Sequence, residues 1–283
     1  TGMSEVQTNK TIEMSLSDVY QDILDASNDN LLKKTENINE EYKNGETLIT
    51  LAEKYNVIEV NIIDEDGKIC DSNVEEYIGY DMTSGEQSNE FVTALLEGSE
   101  SQYIQDYRPT SYDDITFRKY GAIALPDGGF IQVGYDSTQF RADIDKYVKE
   151  VSKNRHVGNE GFVAICGENL NLVTYRSDFE GAGLQKIGIT FDPETVSEGE
   201  IFESVVYDKE YLCSYRFVEG YYIIGAMPKV EAMFMKEVSV YVNTFMEILI
   251  FAALFVLIYF LIKRIIIDNL RKINKGLAEI TNG

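Results

Sequence analysis

Apolar side chains recur at helical spacing through the first forty residues of the chain. They lie three or four positions apart, or at the sum of two such steps, and form one stripe of Ile12, Leu16, Val19, Ile23, Leu31 and Ile38. Neither glycine nor proline interrupts residues 4–43. The pattern therefore predicts a single helix ~60 Å long, which is longer than a small domain is wide. A second helix is predicted for residues 46–55.

The next segment alternates strand-like runs with turn signals. The run VIEVNIIDEDGKICDS begins at Val57, and its two apolar halves flank Asp66-Gly67, a pair typical of a tight hairpin turn. A short helix is predicted around residues 89–96. Three further strands are predicted within residues 101–109, 115–125 and 128–136.

Residues 161–227 repeat this order of elements. The stretch GFVAICGENLNLVTY again indicates strand, turn and strand, and an irregular segment and three more strands follow it. The last strand, EGYYIIGAM, aligns with GGFIQVGYD of the first half. Such internal similarity indicates two copies of one module. Each copy is predicted to be a five-stranded antiparallel sheet covered by helices and loops, which gives an α+β fold.

Near the end of the chain, fifteen consecutive apolar residues run from Ile248 to Ile262. Extended back to Tyr241, the segment has 22 residues, enough for a helix that crosses a hydrocarbon layer of about 30 Å. A buried helix of a soluble core is the alternative. Lys263 and Arg264 follow directly, and the excess of basic residues typical of cytoplasmic flanks then places residues 1–240 outside the cell and residues 263–283 inside.

The residues after the span show a narrow apolar seam. Its members are spaced four and three residues apart, which is a heptad pattern formed by Ile266, Leu270, Ile273, Leu277 and Ile280. A helix lying on the membrane surface is the alternative, although its apolar stripe is normally wider. We therefore predict helix packing between two copies of the chain, that is, a homodimer.

Together these patterns divide the chain into seven segments. The predicted boundaries are 4–56 for the leading helices, 57–140 for the first module, 141–160 for a connection that begins as a helix, 161–228 for the second module, 229–240 for a juxtamembrane helix, 241–262 for the membrane span and 263–283 for the coiled-coil-like helix.

Acidic residues dominate the part before the span. Residues 1–237 contain 20 basic and 45 acidic side chains, a net charge of −25, whereas residues 238–283 have a net charge of +2. Such a surface repels phosphate backbones, so nucleic acid is not expected as a partner. The acidity favours solubility and, less strongly, cationic ligands.

Residue types needed for catalysis or metal binding are scarce. His156 is the single histidine and lies in a polar segment, so no Ser-His-Asp or Cys-His set and no imidazole metal site is predicted. Cys70, Cys166 and Cys213 lack metal-ligand spacing and are interpreted as small buried apolar side chains, with one disulfide as the alternative. We expect no enzymatic activity, metal or cofactor in this region.

A long helix, two sheet modules in series and a membrane span together resemble the double Cache sensors of bacterial receptors, whose modules are PAS-like. The resemblance covers nearly the whole chain and includes the fragments IIDEDGKI, GGFIQVGYD and YYIIGAMPK. LRKINKGLAEITNG resembles the first helix of a HAMP linker, although Asp268-Asn269 stand where that helix commonly has proline. The resemblance implies extracellular sensing of a small ligand and an output domain beyond Gly283. Because a large outside region at the start of a chain needs something to export it, we also expect a further span upstream of the first residue.

The resemblance also places the ligand in the membrane-distal module, residues 57–140, between the sheet and the loops. Asp136, at the end of VGYD, resembles the position where an aspartate meets a ligand ammonium group, and Arg118 is suited to clamping a carboxylate. The further candidates are Tyr103, Tyr107, Arg108, Tyr120 and Gln132. An amino acid, an organic acid or an amine is the implied ligand class.

Alternatives stay open for these residues and for the function. Each tyrosine could be a half-buried sheet residue, and Arg118 and Asp136 could face solvent or pair with each other. The order Tyr112, Arg118, Tyr120, Asp136 resembles the amino-acid-binding version of the family, but the spacing differs and the chain has no tryptophan. A membrane-tethered adhesion or solute-capture protein and an anchored acidic hydrolase are the rival functions.

Overall fold

The computed structural model describes residues 2–110, 116–153, 155–175, 179–264 and 269–274. The chain divides into two compact units, residues 5–229 and residues 230–283 together with residues 1–4. The α-helices are α1 (Gly2–Lys43), α2 (Leu48–Tyr55), α3 (Glu86–Val92), α4 (Ser137–Ser152) and α5 (Lys229–Ile262). Short 3-10 or π turns lie at Glu75–Tyr77, Met82–Ser84, Thr93–Glu97 and Leu184–Ile187.

The strands form two antiparallel sheets. They are β1 (Glu59–Ile63), β2 (Ile69–Ser72), β3 (Gln102–Ile104), β4 (Arg108–Pro109), β5 (Phe117–Ala124), β6 (Phe130–Tyr135), β7 (Phe162–Gly167), β8 (Leu172–Thr174), β9 (Phe202–Val206), β10 (Lys209–Val218) and β11 (Tyr221–Pro228). The first sheet has the order β2-β1-β6-β5-β3, with β4 also paired to β5, and the second has the order β8-β7-β11-β10-β9.

The shared strand order confirms the predicted α+β fold with two similar modules. The strands within GGFIQVGYD and EGYYIIGAM, β6 and β11, both occupy the centre of their sheets. One predicted strand, within residues 101–109, is split in two. The first part, β3, ends at Ile104, although the Gln105 amide still donates to the carbonyl oxygen of Tyr120 at 2.9 Å. The buried side chain of Gln105 turns to α3, where its Nε2 donates to the carbonyl oxygen of Gln87 at 2.7 Å.

Helix α1 buries its apolar stripe, as predicted. All six stripe residues, Ile12, Leu16, Val19, Ile23, Leu31 and Ile38, are fully buried. Glycines in both sheets let the helix approach closely. A Cβ at Gly121 of β5 would lie 2.9 Å from Leu31, and a Cβ at Gly225 of β11 would lie 2.7 Å from Ile12. One helix therefore covers both sheets along its length.

Replacing Gly225 by valine is expected to lower the free energy of unfolding by roughly 1–3 kcal/mol, because the added side chain overlaps Ile12 and Leu16. Chemical denaturation of the full chain in detergent micelles measures the change. Gly183→Ala is the matched control, since the nearest heavy atom to its Cβ, Asn171 Oδ1, lies 4.0 Å away. Equal losses in both variants would contradict close packing of α1 on β11.

The cysteines correct one prediction. Cys166 and Cys213 are fully buried and free, as the small-apolar interpretation requires. Cys70 is free but exposed, so the prediction that it is buried was wrong. The reason is its place on β2, the edge strand of the first sheet, where its side chain alternates away from the buried Ile69.

The second unit contains the apolar helix. Residues 229–240 and the predicted span form one uninterrupted helix, α5, which begins directly after β11. Its part from Val240 to Ile262 is long and apolar enough to cross a membrane, and none of it is buried, which disfavours the core-helix alternative. Of the predicted seam, Leu270 and Ile273 are exposed, whereas Ile266, Leu277 and Ile280 lie outside the described residues.

Candidate ligand site in the first module

The two faces of the first sheet differ in what covers them. Phe130 of β6 faces α3, where its ring stacks on Phe91 with centroids 6.2 Å apart. Tyr135 of the same strand faces α1, and its hydroxyl lies 3.0 Å from Ser27 Oγ. This matches the period-two alternation of a strand. The α3 face is therefore the one on which a ligand could lie between the sheet and the loops.

Polar side chains interrupt the core on the α3 face. Asn61, Ser72 and Gln132 lie side by side on three neighbouring strands and are all buried. Asn61 Nδ2 donates to Gln132 Oε1 at 3.2 Å, and Ser72 Oγ donates to Asn61 Oδ1 at 2.7 Å. Buried polar groups of this kind are hydrogen-bonded and hold a fixed arrangement. We call these three residues the polar floor.

Glu59 lies on β1 two residues before Asn61, so its side chain is on the same face of the sheet as the polar floor. Its carboxylate is almost fully buried and accepts a hydrogen bond from the Tyr120 hydroxyl at 2.8 Å, and Arg118 Nε lies 3.6 Å from its other oxygen. Burial raises the pKa of Glu59, and the Tyr120 hydroxyl and Arg118 oppose the rise. The Tyr120 ring reaches this position across Gly134, where a Cβ would lie 2.5 Å from the ring.

Glu90 of α3 is the centre of a second polar group. Its Oε2 lies 2.7 Å from Arg108 Nη2 and accepts hydrogen bonds from Gln105 Nε2 at 2.8 Å and from the Tyr103 hydroxyl at 3.1 Å. Burial alone would raise the pKa of Glu90, but these donors outweigh it and the pKa is lowered. Glu90 is therefore ionised at neutral pH and holds α3 against β3 and β4.

Arg108 and Arg118 stand directly opposite each other on β4 and β5. Opposite residues of an antiparallel pair project from the same face, so two guanidinium groups are neighbours here. Among the described residues, the Nε atoms of both arginines are buried and donate to no acceptor. Unsatisfied buried donors are costly unless a partner arrives. Their ion-pair partners, Glu90 and Glu59, make the group neutral overall.

A groove opens beside this group. It has a volume of about 490 Å³ and is lined by residues of the α3 start and of β4, among them Ser84, Gln87, Glu90, Arg108 and Thr110. Arg108 and Glu90 are about one-third exposed there, whereas Arg118 and Glu59 lie deeper. Of the two ion pairs, Arg108 and Glu90 line this groove, and the Arg118–Glu59 pair stands next to Arg108 on the neighbouring strand.

The structure distributes the sequence-predicted residues unevenly. Tyr103, Arg108, Arg118 and Tyr120 belong to the group around the two glutamates, and Gln132 belongs to the polar floor. Asp136 instead caps α4: its Oδ1 accepts from the amides of Thr138 and Gln139. Tyr107 packs its ring on Phe117, with centroids 5.5 Å apart. Tyr112 lies outside the described residues.

Sequence reasoning missed Glu59, Glu90 and Gln105. A signal existed for Glu59, which stands at an inward position of the apolar run VIEVNII. A carboxylate in such a run is rarely buried without a partner, so it points to a polar site. Glu90 and Gln105 gave no comparable signal, because polar residues on a short helix and an edge strand are usually solvated. Among the described residues, no three metal-ligating side chains are grouped to hold an ion.

Glu59→Gln is expected to change how stability depends on pH. The folded pKa of Glu59 is raised above its ordinary value of 4.5, so the folded state holds the proton more tightly. Wild-type stability should therefore fall as pH rises from about 4.5 through the raised pKa, and the variant should lack this component of the fall. Melting temperatures of both full chains from pH 4 to 8 measure it. Parallel curves would contradict the raised pKa.

The fold and site together define a two-module protein with a charged, partly buried pocket in its first module. Among solved structures, the chain is similar to the ligand-binding domain of the Campylobacter jejuni chemoreceptor Tlp3 in complex with 4-methylisoleucine. That match has 10% identity, covers 81% of this chain and 94% of that chain, and has a TM-score of 0.39.

Two further solved structures are similar to a comparable degree. The ligand-binding domain of Mlp24 with asparagine has 13% identity, covers 82% of this chain and 98% of its own, and has a TM-score of 0.39. The ligand-binding domain of the Pseudomonas aeruginosa PAO1 amino acid chemoreceptor PctB in complex with L-Arg has 11% identity, covers 81% of this chain and 96% of its own, and has a TM-score of 0.35. No family model and no curated protein matches the chain.

Proposed function

We propose that this chain is the extracellular sensing region, membrane helix and first cytoplasmic helix of a bacterial signal-transduction receptor. The observation that supports a binding role most directly is the arginine pair of β4 and β5. Arg108 and Arg118 each present a buried Nε–H that no described residue accepts. A ligand carboxylate provides such an acceptor in the bidentate geometry that guanidinium groups favour.

The charges of the site favour a zwitterionic ligand. Glu59 and Glu90 already balance the two arginines, so a ligand with only one charge would leave this partly buried group with a net charge. Buried charges need partners, and the cost of an unpaired one is several kcal/mol, of the order seen for isolated buried ions. A molecule with both a carboxylate and an ammonium group, such as a free amino acid, keeps the site neutral.

Thermal unfolding of the full chain in nanodiscs, with a panel of free amino acids, tests the proposal. Each amino acid is paired with its decarboxylated amine and its deaminated acid. At least one amino acid should raise the melting temperature in proportion to the logarithm of its concentration, while both of its analogues do not. The result would count against a zwitterion site if no amino acid raised the melting temperature, or if a deaminated acid raised it as much as its parent amino acid.

Signal transfer is proposed to use the continuity of α5. The helix begins directly after the central strand of the second module and runs without a break through the apolar segment. We place residues 1–240 outside the cell and residues 263–283 inside, with two copies of the chain packed along the seam. A ligand shifts such a switch only through its different affinity for the two states.

A flexible insertion distinguishes a receptor from a tethered binding protein. Six Gly/Ser residues between Pro228 and Lys229 should leave amino-acid affinity unchanged. They should abolish any ligand-dependent change in the distance between spin labels at residue 270 of two copies. The control is the same insertion after Gly45, which follows α1. At Gly45 nothing lies within 4 Å of the position that a Cβ would take. A ligand response that survives the first insertion would favour solute capture over signalling.

A further inference from the structure

A second groove lies between the two modules, away from the polar floor. Its volume is about 670 Å³. The first module contributes Tyr107, Thr116, Phe117, Arg118 and Asp136, and the second contributes Glu168, Phe217 and Tyr222. A space of this size fits a small organic molecule. Because both modules line it, an occupant would touch both of them at once.

Each module supplies an aromatic pair to this groove. Tyr107 and Phe117 have centroids 5.5 Å apart in the first module. Phe217 and Tyr222 are directly opposite residues of β10 and β11, with centroids 4.8 Å apart. Aromatic faces attract organic cations through the ring quadrupole, most strongly where water is partly excluded.

Two carboxylates also line the groove. Asp136 is half-buried directly before α4, and the exposed Glu168 directly follows β7. Burial raises the pKa of the Tyr222 hydroxyl most, and the neighbouring Tyr215 and the negative charge of Glu168 raise it further. Glu168 is therefore close to Tyr222. Among the described residues of the lining, Arg118 is the single basic side chain, and Glu59 offsets its charge at 3.6 Å.

We propose that this inter-module groove is a separate binding site for an organic ammonium ion with an apolar body. The aromatic pairs pack against the body, and Asp136 and Glu168 neutralise the ammonium charge. The net charge of −25 on residues 1–237 adds a long-range attraction for cations that raises their local concentration. Occupancy of this site bridges the modules and does not require Arg108, whereas Arg118 lines this groove and also belongs to the first site.

Calorimetric titration of the full chain in nanodiscs with phenethylammonium tests the site, with 2-phenylethanol as its neutral counterpart. The ammonium ion should bind saturably and the alcohol should not. Glu168→Gln and Phe217→Leu should each weaken binding at least about tenfold, because they remove a charge partner and an aromatic face respectively. Glu168 is exposed, so its substitution opens no cavity in the core.

Two control variants locate the bound amine. Tyr207→Leu removes an aromatic side chain of the second module that does not line the groove, and it should leave binding unchanged. Arg108→Lys alters only the first site and should also leave phenethylammonium binding unchanged. The proposal is overturned if wild-type protein binds no phenethylammonium, if the alcohol binds equally, or if Arg108→Lys is the variant that weakens binding. Failure of the amino-acid screen would not affect any of these outcomes.

Discussion

Replacing Lys119 by methionine is expected to lower the free energy of unfolding by roughly 3–5 kcal/mol. Lys119 of β5 and Glu219 form an ion pair of 2.6 Å in which both side chains are almost fully buried, with 0% and 2% of their surface exposed. Burial raises the pKa of Glu219, and the Lys119 ammonium opposes the rise. Without the lysine, a carboxylate enclosed by protein loses its counter-charge.

The pair belongs to a network that joins three parts of the unit. Ser27 of α1 donates to Glu219 Oε2 at 3.0 Å and lies at the same distance from the Tyr135 hydroxyl of β6. Glu219 sits on the two-residue turn between β10 and β11, and both Glu219 and Gly220 have positive φ angles, 53° and 77°. The turn of the second module is thereby held in the first module.

Chemical denaturation of the full chain in micelles measures the loss. Lys149→Met is the control, since the Lys149–Glu180 pair is about 40% exposed on both sides and such pairs contribute about 0–1 kcal/mol. The double variant Lys119→Met/Glu219→Leu should recover most of the loss, because no charge is left buried. A single variant that loses no more than the control would contradict the proposed role of the pair.

Arg118→Lys is expected to weaken binding of the amino acid found in the thermal screen by roughly 10- to 100-fold, the value of one or two charged hydrogen bonds. The substitution keeps the positive charge near Glu59 but removes the planar fork and its Nε–H donor. Calorimetric titration of wild type and variant measures the ratio of dissociation constants.

The control for Arg118 is another ion-paired arginine. Arg155 pairs with Asp18 and Asp22 of α1 and lies outside both grooves. Arg155→Lys should leave amino-acid binding within about twofold of wild type. Equal affinities of wild type and Arg118→Lys would remove Arg118 from the ligand site and leave Arg108 as the remaining clamp.

Sequence patterns predicted the elements whose structure depends on residues close together in the chain. The stripe of α1, the Asp66-Gly67 turn and the apolar part of α5 depend on local spacing, so they could be predicted. The hairpin of β1 and β2 forms as predicted, and Asp64 Oδ1 accepts from the amides of Asp66 and Lys68 in its loop. Repetition along the chain was sufficient to predict two similar antiparallel sheets, although not the order of strands within them.

The site could be predicted only in part, because it depends on pairing between strands. Arg118 and Tyr120 follow from alternation along β5, but the neighbourhood of Arg108 and Arg118 depends on the register of the short β4. The ligand role of Asp136 stays a prediction. The helix that begins one residue later uses Asp136 Oδ1 as a cap, a second role that its position at the end of a strand did not reveal.

The shared cover that α1 provides for both sheets has a consequence for dissecting the protein. Ile12 and Leu16 pack on β11 and Leu31 packs on β5, so a fragment holding only one module would keep a helix whose other half has lost its partner. Such a fragment would display a row of aliphatic side chains to water and aggregate on expression. Neither module is therefore an independent building block, and transplanting one of them into another protein requires transplanting the matching half of the helix.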